Sequence, residues 1–556
     1  MRKDIWKNAF NQAMSELSEE DLADTSQLMS DKHISEAKLS NPFMSKIIPW
    51  VATAAVLTIL IGLVLMDPLS PQGPDISLLE NAGSETLSAD HPGDGTLVSE
   101  QTLSPDDGNP TPAQSYSPSY DAAQLTLVRA EYPEQLRYTA DIVSQHDPDF
   151  DSQKSQERRL KREMAQVSTG KLDSFYQKSL QAFLADSTDE NTFYSPAGLF
   201  LSLSLLAESA EGSSRTEILQ ALGSETMEEL RALSSAFWLS QYNDDGVSTC
   251  RFANSLWLNS FWLGSASEQA AIPGLYQVRD DALQRIKDSY FASVFQGDMN
   301  SPEYNAFFRD WCQEEAGLLF PTAEIGPALD PLSLLEIAST VNFNARWMWP
   351  FNPKKTIDGI FHGTREETTV SYMRASFDSL YYYGDHFGAI DLPLSGSNTL
   401  WLILPDEGVD ARSLAAEDEV FSLLKTNGTP SAEWSEKNAL AMIHLSLPKF
   451  TVSSERDLIP TLAQMGIEEV FTEGEADLTG LIETEEPAYV SSATSTLRLQ
   501  IDEEGVKATS LIALNYAGAR KPDQDVDFVL DRPFLYAITS WTDDLLFAGV
   551  VEQIGE

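Results

Sequence analysis

Apolar residues are distributed along this chain by three different rules in turn. The stretch "IIPWVATAAVLTILIGLVLM", Ile47 to Met66, runs 20 residues without a charge, the length an α-helix needs to cross hydrocarbon. Helical spacing appears much later. In "LDSFYQKSLQAFLA" the residues Leu172, Phe175, Tyr176, Leu180, Phe183 and Leu184 share one face and predict an amphipathic helix. In "SPAGLFLSLSLLAESA" Ser195 suits the cap and Pro196 the first turn, with Leu199, Leu203, Leu206 and Ala210 pointing one way. A third helix is expected in "SRTEILQALG", opened by a Ser214–Glu217 capping box and ended by Gly223. Beyond it the pattern turns to strands. "AIDLPLSGSNTLWLILP" reads as two strands around a Gly-Ser-Asn turn, and "MIHLSLPKF", "FVLDRPFLYAITS" and "LLFAGVV" also read as sheet. Helices first and strands afterwards make an α+β pattern, with no internal repeat.

Between the first apolar run and the first helix the chain changes character. Residues 67 to about 120 are rich in Pro, Ser, Gly, Asp and Thr, a composition that cannot offset ordering entropy by burial. As a flexible coil, a tether over 67–167 reaches roughly 55 Å. Its end is expected to be partly ordered, since "LTLVRAEYP" and "LRYTADIV" carry apolar residues able to dock. The charge run "SQKSQERRLKRE" is read as a solvated face. Four segments result: a cytoplasmic tail 1–46 with Ile5, Phe10 and Met14 near helical spacing, a transmembrane helix 47–66, the tether 67–167, and a folded domain 168–556. The 46 residues, many of them polar, before the apolar run and the lack of a small-residue cleavage site argue for a retained anchor. Lys32, Lys38 and Lys46 precede it and no Lys or Arg follows until Arg129, so the N-terminus is expected in the cytoplasm.

Charge narrows the function. With 37 Lys plus Arg against 85 Asp plus Glu, the net charge is −48, which repels nucleic-acid backbones. Two cysteines, Cys250 and Cys312, are too few for a disulfide framework or a cysteine-rich zinc site; one bridge or two buried thiols both remain open. The chain has no G-x-S-x-G elbow, H-E-x-x-H pair, Walker loop or G-x-G-x-x-G. His33, His91 and His146 lie ahead of the folded domain, His444 is expected as a hydrogen-bonded residue of a strand, and His362 and His386 lack helpful neighbours. The acid pairs Glu366–Glu367 and Asp543–Asp544 read as solvated turns. No cofactor or metal is expected.

Taken in order over residues 172 to 556, these motifs resemble the serpin family. "NTFYSPAGLFLSLSLLAESAEGSSRTEILQALG", which holds Asn191, Ser195 and Pro196, looks like the family's N-x-x-x-S-P helix start and the helix after it. Phe343, Trp347, Pro350, Phe351, Thr356 and Phe361 in "STVNFNARWMWPFNPKKTIDGIF" match a second segment, and "VSYM", "LPKF", "ADLTGL", "DEEG", "DRPFLYAI" and "LLFAGVV" follow. The resemblance implies an α+β serpin fold: three β-sheets, surrounding helices and an exposed reactive-centre loop. It also implies suicide trapping, in which a protease cuts the loop and the freed loop inserts as a strand into the central sheet, distorting the acyl-enzyme.

In such a protein, "DEEGVKATSLIALNYAGARKPDQDVD" must serve first as loop and later as strand. With the hinge at Glu503, Glu504 and Gly505, alternation places Val506, Ala508, Ser510, Ile512 and Leu514 inward and Lys507, Thr509, Leu511 and Ala513 outward. A slip by one would bury Lys507, so the pattern fixes the register. Counting along the family pattern puts the scissile bond at Ala519–Arg520, the small residues of "NYAGA" favouring an elastase-like enzyme; Arg520–Lys521 is the trypsin-like alternative, and Pro522 disfavours cleavage after Lys521. Asn191, Ser195, Pro196, Trp347 and Ser495 fall in the expected sheet-opening region. There the chain departs from the family pattern at Gly198, Ser339 and Ser495, and Val506 and Leu511 are larger than usual. The expectation is a monomeric, membrane-anchored inhibitor of extracellular serine or cysteine proteases on a bacterial surface. The alternative is a non-inhibitory serpin that binds or senses at the cell surface.

Overall fold

The computed structural model describes residues 120–138, 148–184, 190–264, 275–316, 329–426, 430–483, 488–506 and 524–555, all within a compact unit that includes Pro118–Glu556. The predicted tail helix, the anchor 47–66 and the loop residues Ala508, Ser510, Ile512, Leu514, Ala519, Arg520 and Lys521 lie outside the described residues. Among the described residues no helix is long and apolar enough to cross a membrane.

The three helices predicted in the folded domain form, with instructive differences, and an unpredicted one precedes them. Helix α1, Pro148–Ser168, is the charge run. It is not a fully solvated face, because Lys154 and Lys161 are only 4% and 9% exposed. Helix α2, Asp173–Leu184, buries the predicted face. Helix α3, Pro196–Ser209, is capped by Ser195, whose Oγ accepts from the Gly198 amide at 3.0 Å. Its burial is not one-sided as expected: every residue except Ser202 is buried, because it lies within the main core between other helices and strands. Helix α4, Gly212–Leu222, ends at Gly223 in the left-handed conformation, but the capping box is absent. Ser214 instead accepts from the Asp477 amide, and Glu217 accepts from the amides of Glu468 and Glu469 at 2.8 Å each. The tertiary partners offer more donors than the helix end. Helices α5, Met227–Gln241, α6, Asp280–Tyr290, and α7, Pro302–Ala316, complete the helical layer used below.

The tether's end docks in part. Strand β1, Thr126–Val128, pairs antiparallel with the strand Ala292–Gly297, and Tyr132 stacks on Trp238 at 5.5 Å.

Three sheets follow. The eight-stranded sheet contains β1, then β4 (Ala292–Gly297), β3 (Thr249–Asn259), β5 (Leu335–Arg346), β13 (Gly505–Val506), β12 (Thr494–Asp502) and β11 (Phe450–Asp457), with the two-residue strand Asn243–Asp244 beside β3. The nine-stranded sheet is built on the long β7, Glu367–Tyr383, which pairs with β6 (Ile357–His362) and β10 (Asn438–Pro448) and at its far end with β8 (Phe387–Pro393). Strands β8 and β9 (Thr399–Pro405) form the predicted hairpin, Asp391 facing Trp401. Strands β15 (Phe534–Thr539), β16 (Leu545–Val551), β14 (Gln524–Val529) and β2 (Thr192–Tyr194) complete it, and a two-stranded sheet joins Gln277–Val278 to Ile482–Glu483. Both cysteines are buried free thiols, each pushed up to about 12 by burial. Asp544 is not solvated but 1% exposed.

Candidate functional site: the hinge and the cleft in the large sheet

The chain turns back sharply after β12. Asp502 to Gly505 form a tight hairpin whose short second arm, β13, lies between β12 and β5: Val506 faces Ile501 on one side and Ala345 on the other, and Gly505 faces Asp502 and Arg346. Only glycine fits at 505. Its φ is +150°, and a Cβ there would sit 2.4 Å from the Ala345 carbonyl oxygen and 2.6 Å from the Arg346 Cα. Val506 is 1% exposed, its side chain turned into the core.

Polar contacts hold the hairpin against its surroundings. The Trp347 indole donates to the Asp502 carbonyl at 2.7 Å, its backbone amide donates to Glu504, and its ring meets Phe351 edge-on at 5.4 Å. Glu503 bridges to Lys449 at 2.8 Å and accepts from the Thr356 hydroxyl at 2.9 Å. Burial acts to raise its pKa, but the hydrogen bond from Lys449, with those of its own amide and Thr356, outweighs it and holds the carboxyl below its usual range.

Below β13 the large sheet is parted. Strands β5 and β12 do not pair with each other among the described residues; their facing edges are separated where β13 ends. They border a cleft of about 190 Å³ whose floor is α3, lined by Gly198, Ser202, Ile337, Val341, Ser495 and Leu497 among others. A smaller gap lined by Phe343, Leu499 and Val506 lies between cleft and hinge. Ser195 lines the cleft and donates from its hydroxyl to the Leu546 carbonyl at 2.7 Å. Gly198 leaves room for a neighbour, since a Cβ would meet Val341 at 2.9 Å and the Ser195 hydroxyl at 3.1 Å. Ser339 receives a hydrogen bond from Ser202 at 2.6 Å and donates to the Asn254 side-chain oxygen, a short hydroxyl chain between α3, β5 and β3.

The predicted site residues therefore divide. Ser195, Ser495 and the departures Gly198 and Ser339 meet around one cleft, and Glu503, Glu504, Gly505, Val506 and Trp347 meet at the hinge above it. Pro196 is buried in the first turn of α3. Asn191 belongs elsewhere: its side-chain oxygen accepts from the Glu552 and Gln553 amides at 2.7 and 3.0 Å, and its amide donates to the Gln553 carbonyl at 2.8 Å, fastening the C-terminal segment. Thr356 and Lys449 fall in motifs matched by sequence, but their contacts with Glu503, like the place of Asn254 beside Ser339, arise only through the fold. Among the described residues no group of three or more His, Cys, Asp or Glu could hold a metal ion.

The family model "Serpin (serine protease inhibitor)" matches residues 171–554. Alpha-1-antiproteinase of Bos taurus is 29% identical over 377 residues, covering 66% of this chain and 83% of the relative. Plasminogen activator inhibitor 1 of Sus scrofa is 24% identical over 386 residues, 66% of this chain and 88% of the relative. In fold, the native state of a thermophilic serpin, tengpin, covers 77% of this chain and 99% of its own with a TM-score of 0.58 at 20% identity, and thyroxine-binding globulin complexed with thyroxine gives 0.56 at 21%, covering 70% and 100%. With more than half of its length matched by the family model, the chain belongs to the serpin family of serine protease inhibitors.

Proposed function

We propose that the protein inhibits extracellular serine proteases by suicide trapping, its reactive loop being cut and then inserted between β5 and β12. The observation that carries this reading is the position of β13: the hinge glycine Gly505 and Val506 after it already lie between the parted strands. Continued in the same register, Ala508 comes between Phe343 and Leu499, Ser510 between Val341 and Leu497, Ile512 between Ser339 and Ser495, and Leu514 between Ile337 and Ala493. Lys507, pointing the other way, meets Gln500 and Asn344, whose buried Oδ1 lacks a hydrogen-bond partner.

The energetics favour insertion. Val506 is already buried, so the gain comes from Ile512 and Leu514, about 1.5–3 kcal/mol each, and about ten new ladder hydrogen bonds add about 0.5–1.5 kcal/mol apiece. The total is on the order of 10 kcal/mol, comparable with the stability of a whole domain. Cleavage at Ala519–Arg520 suits an elastase-like enzyme better than a trypsin-like one, whose bond would be Arg520–Lys521. The apolar run 47–66 anchors the inhibitor at the outer face of a membrane.

Incubating the protein with elastase-like and trypsin-like proteases tests the proposal. An SDS-resistant covalent adduct is expected, and Val506→Arg should abolish the adduct while loop cleavage persists. Cleavage of the native chain without any adduct would overturn trapping and favour a binding or sensing role.

A further inference from the structure

Helix α1 carries Lys154, Arg158, Lys161 and Arg162 at intervals of four, three and one, a spacing that places all four on one face. That face borders a cavity of about 400 Å³, closed by the end of α5, the turn at Gly396–Asn398 and Trp541. In a chain where acids outnumber bases 85 to 37, the charged groups lining this cavity are those four cations and only two carboxylates, Glu157 and Asp245.

Both carboxylates are already engaged. Glu157 pairs with Lys154 at 2.8 Å, and Asp245 accepts from the amides of Val247 and Ser248 at 2.9 Å each. Three cations are left short of acceptors. Lys161 makes a single hydrogen bond, to the neutral Asn243 side chain at 3.2 Å, and stands 3.9 Å from Glu157 although it is only 9% exposed. Arg158 donates to the Tyr138 hydroxyl and Arg162 to the Arg158 carbonyl, and neither forms an ion pair among the described residues. An ammonium withdrawn from water with one neutral hydrogen-bond partner, and with its carboxylate no nearer than 3.9 Å, is costly. Consistent with that cost, burial pushes the Lys161 pKa down to about 8 against the pull of Glu157.

We propose that this cavity binds a tetrahedral oxyanion, a phosphate or sulfate free in solution or at the head of a small ester, held by Lys161, Arg158 and Arg162. A tetrahedral anion offers several acceptors to donors arriving from different directions, and guanidinium and ammonium groups are the side chains suited to it. A nucleic-acid backbone does not fit, because the surrounding charge is negative and the cavity is closed on several sides.

Calorimetric titration of the full-length protein with inorganic phosphate, inorganic sulfate and glycerol 3-phosphate, at matched ionic strength set with chloride, tests the proposal. Saturable binding is expected, weakened about tenfold or more by Lys161→Gln, the scale of a lost charge-assisted hydrogen bond. Arg162→Gln, at an exposed position, should weaken it without affecting folding and keeps the test valid if the buried substitution unfolds the domain. Tighter binding of the ester than of inorganic phosphate assigns the site to a phosphate ester; the reverse order assigns it to the free ion. Absence of saturable binding by all three probes, or affinities untouched by Arg162→Gln, would overturn the proposal.

Discussion

A carboxyl group enclosed as Asp544 is can ionise only at a cost. It accepts from Gln241 at 2.9 Å, Thr542 at 2.6 Å and the Tyr176 hydroxyl at 3.4 Å. Burial nevertheless dominates and raises its pKa to about 6, and its neighbour Asp543 is raised to about 6 by burial as well. A carboxyl whose folded pKa lies above its unfolded value, about 3.9, stabilises the fold fully below that value, and the contribution is lost as pH rises through about 6. Denaturant melts should therefore show this part of the stability falling between about pH 4 and pH 6. Asp544→Asn should flatten the slope and gain on the order of 2 kcal/mol at neutral pH; an unchanged slope would contradict the assignment. The sequence does not announce this residue, because two adjacent acids look like a solvated turn until Gln241, 303 positions away, arrives beside them.

Elements were legible where their signals are local. The apolar face of α2, the Ser195 cap, the Gly223 stop and the β8–β9 hairpin all follow from spacing and turn chemistry within a dozen residues. The errors came where distant chain competes for the same groups: Ser214 and Glu217 serve the 468–477 segment instead of their own helix end, and α3 is enclosed on all sides. The charge run of α1 misled for a similar reason, since a helix with many cations reads as solvated until another element covers one face. At the hinge the local signal held more information. The glycine in "DEEG" is required by backbone geometry, so Gly505→Val should unseat β13 by contact with Ala345 and Arg346. Its expected effect is a shift from trapping to turnover, read as a higher number of inhibitor molecules cut per protease inactivated. An unchanged ratio would show that the seat of β13 does not govern insertion.

For the molecule as a whole, the loop-to-strand reading demands a difference in stability between intact and cut forms. Once the loop is severed and seated, the edges of β5 and β12 gain a partner along their length, and unfolding must break the added ladder. Calorimetry of the cleaved protein should show its transition well above that of the intact one, by 20 °C or more on the scale of about 2–4 °C per kcal/mol for large domains. A transition left in place would mean that the loop stays in solvent. The family, and the coarse drift from helices to strands, could be read from the sequence because motifs kept their order over the whole domain. The parting of the large sheet could not, since it depends on which strands decline to pair, and pairing leaves no mark in either strand's own residues.

The two sulfhydryls have a practical bearing on all of this. Cys250 sits on β3 and Cys312 on α7, both buried and both disinclined to ionise because of that burial. Because alkylating reagents attack the thiolate, both thiols should react slowly while the fold is closed. The pace at which a maleimide is consumed then keeps time for the opening of the body around β3 and α7, with no cysteine engineered into the chain.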